Sequence, residues 1–138
     1  MKTINIKGKE YVPVVERVKE FHKQYPFPNG QIKTEIISDS DNRIVVKAVV
    51  SVQNGTNGII ATFTGHSQAE WGKGMMGDVA LEIAETSAIG RALGFANIGL
   101  LDGIASADEM RKVGKSKVPF VTNEDTEELL IADPADVF

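Results

Sequence analysis

The sequence predicts an α+β domain in which an N-terminal helix precedes a three-stranded antiparallel β-meander packed on one long helix, with a disordered acidic tail behind it. Three observations carry this. Residues 13–25 repeat apolar side chains at helical spacing, three β-branched runs between residues 32 and 69 are joined by short polar turns, and alanines recur every four residues from Ala80 to Ala96. With 138 residues, 42% of them apolar and 25% charged, the chain is long enough for one hydrophobic core.

After a short apolar start, Pro13 opens the first helix, as proline suits a first helical turn. Val14, Val18, Phe21 and Tyr25 form its apolar stripe, whereas Glu16, Arg17, Lys19, Glu20 and Lys23 are assigned to its polar side. Tyr25-Pro26-Phe27-Pro28-Asn29-Gly30 then stops the helix, since proline cannot continue it and Asn-Gly tolerates positive φ. The strands follow over Ile32 to Ser38, Arg43 to Val52 and Ile59 to about Ala69, and the short connections favour antiparallel pairing. In the middle strand Ile44, Val46, Ala48, Val50 and Val52 share one face suited to a core. Arg43, Val45, Lys47, Val49 and Ser51 share the other, which mixes charge with apolar surface.

The loop from Trp71 to Gly77 leads to Asp78, a candidate N-cap for a helix running from Val79 to about Ala96. Its alanine ridge allows close backbone approach, and Gly90 and Gly94, each costing about 1 kcal/mol of helix propensity, imply a steric need or a local break, with close packing the plainer explanation. A last helix is expected over Ser106 to Val113, so the domain is set at 1–113 and a linker and tail at 114–138.

Absence of cysteine excludes disulfides, thiolate metal sites and cysteine nucleophiles and points to the cytosol. No apolar run reaches the ~20 residues that span a bilayer, so no membrane role is expected. Two unpaired histidines, His22 and His66, make no metal motif, Glu82 and Glu85 suit a solvated face, and no cofactor is implied. The Gly72 to Gly77 loop lacks the Gly-Lys-Ser/Thr of a phosphate loop, which leaves a nucleotide-dependent enzyme a weak third possibility; no enzyme is indicated.

The net charge of -4 conceals an asymmetry. All 15 Lys and Arg, with 13 of the 19 acidic residues, lie at or before Lys117, and the other six acidic residues follow it. A weakly basic body with an acidic end suits a nucleic-acid protein carrying an interaction tail. Lys33, Arg43 and Lys47 on the strands, Lys73 beside Trp71 in the loop, and Arg91 on the long helix are candidates for phosphate contact and base stacking.

The segment Glu85-Thr86-Ser87-Ala88-Ile89-Gly90-Arg91-Ala92-Leu93-Gly94-Phe95, followed by Gly99 and Asp102 to Glu109, resembles a pattern in phage-encoded proteins akin to the Rad-fifty-two single-strand annealing superfamily. That resemblance implies a basic groove between sheet and helix that holds single-stranded DNA. It makes Arg91 a phosphate contact with Lys47 or Lys33 on the sheet, and implies a homo-oligomer of ring form. The chain departs from the superfamily where Gly90 and Gly94 replace basic residues, which implies weaker, more salt-sensitive binding per subunit. The end of the chain, with Asp133 and Asp136 before Val137 and Phe138, is similar to the C-terminal tip of bacterial single-stranded-DNA-binding proteins. A terminal aromatic ring flanked by carboxylates suits a pocket rimmed by Lys or Arg on a replication or recombination partner. The expected function is therefore single-stranded DNA binding and strand annealing in phage or mobile-element DNA metabolism, in the bacterial host cytoplasm. The alternative is an oligomeric protein-interaction adaptor that does not bind DNA.

Overall fold

The computed structural model describes residues 1–54, 58–72, 77–101 and 103–116. Two short strands, β1 (Ile4–Ile6) and β2 (Lys9–Tyr11), form an antiparallel hairpin that the sequence reading left as an apolar start. Lys7 (φ 50°) and Gly8 (φ 88°) make its turn, and the Gly8 N–H donates to Asn5 Oδ1 at 3.0 Å. Positive φ at both central residues is the two-residue hairpin geometry, reached here without the usual Asn-Gly signal.

Helix α1 (Val14–Gln24) begins after Pro13 and buries Val14, Arg17 and Phe21. Arg17 corrects the sequence reading: it lies on the buried side, 1% exposed, because it is three residues from Val14 and four from Phe21. The position follows the helical period; only the charge suggested otherwise.

Strands β3 (Gly30–Asp39), β4 (Arg43–Asn54) and β5 (Ile59–Glu70) form an antiparallel meander in the order β3-β4-β5. Helix α2 (Ala80–Phe95) lies across one face, touching chiefly β4 and β5. Ile44, Val46, Ala48 and Val50 point at it, and Ala80, Ala84, Ala88 and Ala92 point back, all of them buried. The alanine ridge works because of Gly65, the β5 partner of Ala48. A Cβ there would sit 2.5 Å from the Ala92 nitrogen and 2.6 Å from the Ala88 carbonyl oxygen, so helix and strand backbones are in contact.

Asp78 does not cap α2: it lies in a 3-10 turn (Gly77–Val79), and the N-cap is Val79, with no side-chain hydrogen bond. On the α1 side of α2, a Cβ on Gly90 would lie 2.7 Å from Val14 Cγ2 and one on Gly94 3.1 Å from Arg17 Nη1. The steric need read from those glycines is thus room for α1. Helix α3 (Ala107–Ser116) continues through Gly114 and packs Ala107 and Met110 with Tyr11 and Ala105. Its Asp108 Oδ1 accepts the Val14 N–H at 2.7 Å, satisfying an otherwise unpaired donor at the start of α1.

Candidate nucleic-acid interface

The α2 side of the sheet is closed, and the opposite side carries the surface chemistry. On that outer face the register aligns side chains in rows across the three strands: Gln31, Ser51 and Thr62; then Lys33, Val49 and Thr64; then Glu35, Lys47 and His66. Beyond these come Ser38, Val45 and Gln68, with Arg43 beside Glu70 at the end. Outer-face residues of β3 and β5 are exposed, while Val45, Lys47 and Val49 on the central strand are half-buried by their own neighbours. This is the pattern of an antiparallel sheet with one wet face.

Lys33, Lys47 and Arg43 therefore share one surface. Lys33 faces Val49 and lies diagonal to Lys47, a separation of about 7–8 Å in such a ladder. The Arg43 guanidinium donates to Gln68 Oε1 at 3.2 Å, which orients it along the face. Sequence reasoning passed over the β5 contribution, Thr62, Thr64, His66 and Gln68. Its signal was legible as strict alternation with Ala61, Phe63, Gly65 and Ser67.

The remaining predicted residues lie elsewhere. Arg91, on the helix packed against the inner face, is one-fifth exposed; its Nη1 is 3.7 Å from Oε2 of the buried Glu109, and its guanidinium sits 5.9 Å from the Phe95 ring centroid. A cation over an aromatic ring is favourable in itself. Trp71 is half-buried at the end of the sheet, with its indole N–H donating to Asp39 Oδ1 at 3.0 Å and its ring against the core. Where Gly65 meets α2 there is no room for a nucleic-acid strand between sheet and helix. Lys73, Asp133, Asp136, Val137 and Phe138 lie outside the described residues.

Arg17 is the charged group the sequence reading placed wrongly, and it belongs to the scaffold. Its Nη1 donates to the carbonyls of Gly90 (2.7 Å) and Ile104 (3.1 Å), and its Nη2 to those of Gly99 (3.4 Å) and Ala105 (3.5 Å). Burial lowers its pKa from the ordinary arginine range, while the nearby Glu109 and Asp108 carboxylates act in the opposite direction. Gly99 has φ 75°, and a Cβ there would come within 2.8 Å of Arg17 Cγ, so glycine serves both the turn and the arginine stem. Among the described residues no group of three or more His, Asp or Glu could hold a metal ion, and no helix is long and apolar enough to cross a membrane.

A helix, a three-stranded antiparallel sheet with one open face and a second helix on the other face make an α+β domain. The family model described as Slr1353 N-terminal dsRNA-binding domain-like matches residues 18–96, more than half of the chain, and the chain belongs to that family. The matched span takes in most of α1, the whole sheet and α2. Neither the Rad-fifty-two superfamily nor the bacterial single-stranded-DNA-binding proteins match at the family level, and no curated protein and no solved structure matches.

Proposed function

We propose that the chain binds nucleic acid without sequence preference on the outer face of its sheet, with single-stranded DNA as the favoured form, and that it acts as a binding protein and not as an enzyme. The observation that carries this is the grouping of Lys33, Lys47 and Arg43 on a face covered by none of the described elements. Their cations suit phosphates, while the threonines, Gln31 and Gln68 offer hydrogen bonds and Val45, Val49 and Ile60 offer apolar contact. Exposed bases can use all three, whereas a duplex presents mainly phosphates and groove edges to a flat surface. Bases left accessible on such a surface suit strand annealing, and the phage or mobile-element setting rests on the resemblance alone. The acidic end, with Asp133, Asp136, Val137 and Phe138, is the proposed dock for replication or recombination proteins. Arg91, on the helix packed against the inner face, stands apart from this surface.

Duplex RNA is the second reading, favoured by the name of the family. Titrating the full chain with single- and double-stranded DNA and RNA across a salt series separates the two. Tightest binding to single-stranded DNA, with log affinity falling by about 2 per tenfold rise in salt for three phosphate contacts, is the expected result. Preference for duplex RNA selects the second reading, and no binding to any of them at low salt rejects both in favour of a protein adaptor.

A further inference from the structure

The β3 edge carries a self-complementary code. β3 ends the sheet on one side, and the pairing with β4 fixes which of its backbone groups turn outward. The Gln53 N–H donates to the Asn29 carbonyl at 2.8 Å, so in this register Gln31, Lys33 and Glu35 exchange hydrogen bonds with β4. Ile32, Thr34 and Ile36 consequently point their N–H and C=O groups away from the sheet. Among the described residues none of these outward groups has a backbone partner. Ile36 and Ile37 are 52% and 50% exposed.

An open edge is ordinarily protected by charge, a bulge or a short strand. β3 carries charge and a register shift between Ile36 and Ser38, yet its charges are arranged in a particular way. Reading Ile32-Lys33-Thr34-Glu35-Ile36 against its own reverse places Ile opposite Ile, Lys opposite Glu and Thr opposite Thr. We infer that this edge pairs with the β3 edge of a second copy of the chain, antiparallel and centred on Thr34, giving a two-fold dimer with a six-stranded sheet.

The geometry supports each position. Thr34 would face its own copy and Ile32 would face Ile36 as hydrogen-bonded pairs, which uses the outward groups. Lys33 and Glu35 would fall at non-hydrogen-bonded positions, where opposing side chains approach most closely, about 4.5 Å between Cα atoms. Two ion pairs would form on the outer face by symmetry. On the inner face Ile32, half-buried against the core, would meet the exposed Ile36 of the second copy, flanking Thr34, whose hydroxyl donates to Glu85 Oε2 of α2 at 2.7 Å. Register is specific as well. Sliding by two residues in one direction sets Lys33 against Lys33, and in the other sets Glu35 against Glu35, while sliding by one exchanges the two faces. The bulge at Ile37 ends the matched stretch. The β5 edge carries no such code, with only His66 and Glu70 charged or titratable along its length. The two-fold contact is isologous, so it closes at two subunits. This inference rests on the β3 register and is independent of nucleic-acid binding.

Sedimentation equilibrium of the full chain over a range of concentrations tests it, with circular dichroism as a check on folding. Wild type should pass from monomer to dimer as concentration rises. Lys33→Glu should weaken the dimer about tenfold or more, because both cross-strand pairs become Glu against Glu. Adding Glu35→Lys should restore association by reversing every pair, a recovery that general damage to the strand would not produce. A monomer at all concentrations, a dimer indifferent to Lys33→Glu, or a double variant no better than the single one would overturn the inference.

Discussion

The two faces of the β4 strand come from alternate residues of one short stretch, yet they obey opposite rules. On the inner face, Ile44, Val46, Ala48 and Val50 meet a helix so close that a single Cβ at Gly65 would strike its backbone. On the outer face, Arg43, Lys47 and their neighbours are constrained only by strand register and solvent. Shape is thus determined on one side and chemistry displayed on the other. Substitutions should separate accordingly, into those that change stability without a specific effect on ligand and those that do the reverse.

The sharpest break is expected from Gly65→Val. Neither the Ala88 carbonyl nor the Ala92 nitrogen can move without displacing α2, so the fold should lose roughly 4 kcal/mol, read as a collapse of the thermal transition. Arg17→Met comes next. It keeps much of the buried volume but leaves the Gly90 and Ile104 carbonyls without their donor, for a loss of roughly 3 kcal/mol and a melting temperature lower by about 10 °C. The smallest effect on stability belongs to Arg43→Ala combined with Lys47→Ala, which lie on the outer face away from the β3 edge. The melting temperature should hold, with a change within about 0.5 kcal/mol, while the salt dependence of nucleic-acid binding falls by roughly 1 to 2 in slope. Equal loss of stability in this double variant would erase the distinction between the faces.

Much of this division was legible from sequence, because period-two alternation survives in β4 and β5 and each face keeps its own composition. The turns and the extent of α2 were legible for similar local reasons. The Lys7-Gly8 hairpin was not, since it relies on a lysine at positive φ. Arg17 shows a different kind of failure: its position followed the helical period, but its acceptors lie at residues 90, 99, 104 and 105, whose approach no local pattern encodes. Arg91 stood out as a charge among small and apolar residues, and the structure provides a carboxylate 3.7 Å away on α3. Local chemistry announced that it needed a neighbour, and only tertiary structure identified one.

The hydrogen bond from Val14 to Asp108 bears on where the molecule can be cut. The segment shared with the family, residues 18–96, excludes both ends of that bond, as well as Arg17 and three of the four carbonyls it reaches. The family-matched span and the contacts that tie α1 to the rest of the domain therefore have different borders in this chain. A fragment trimmed to the shared segment would retain the sheet, α2 and most of α1 but lose the clasp that joins the first helix to the last.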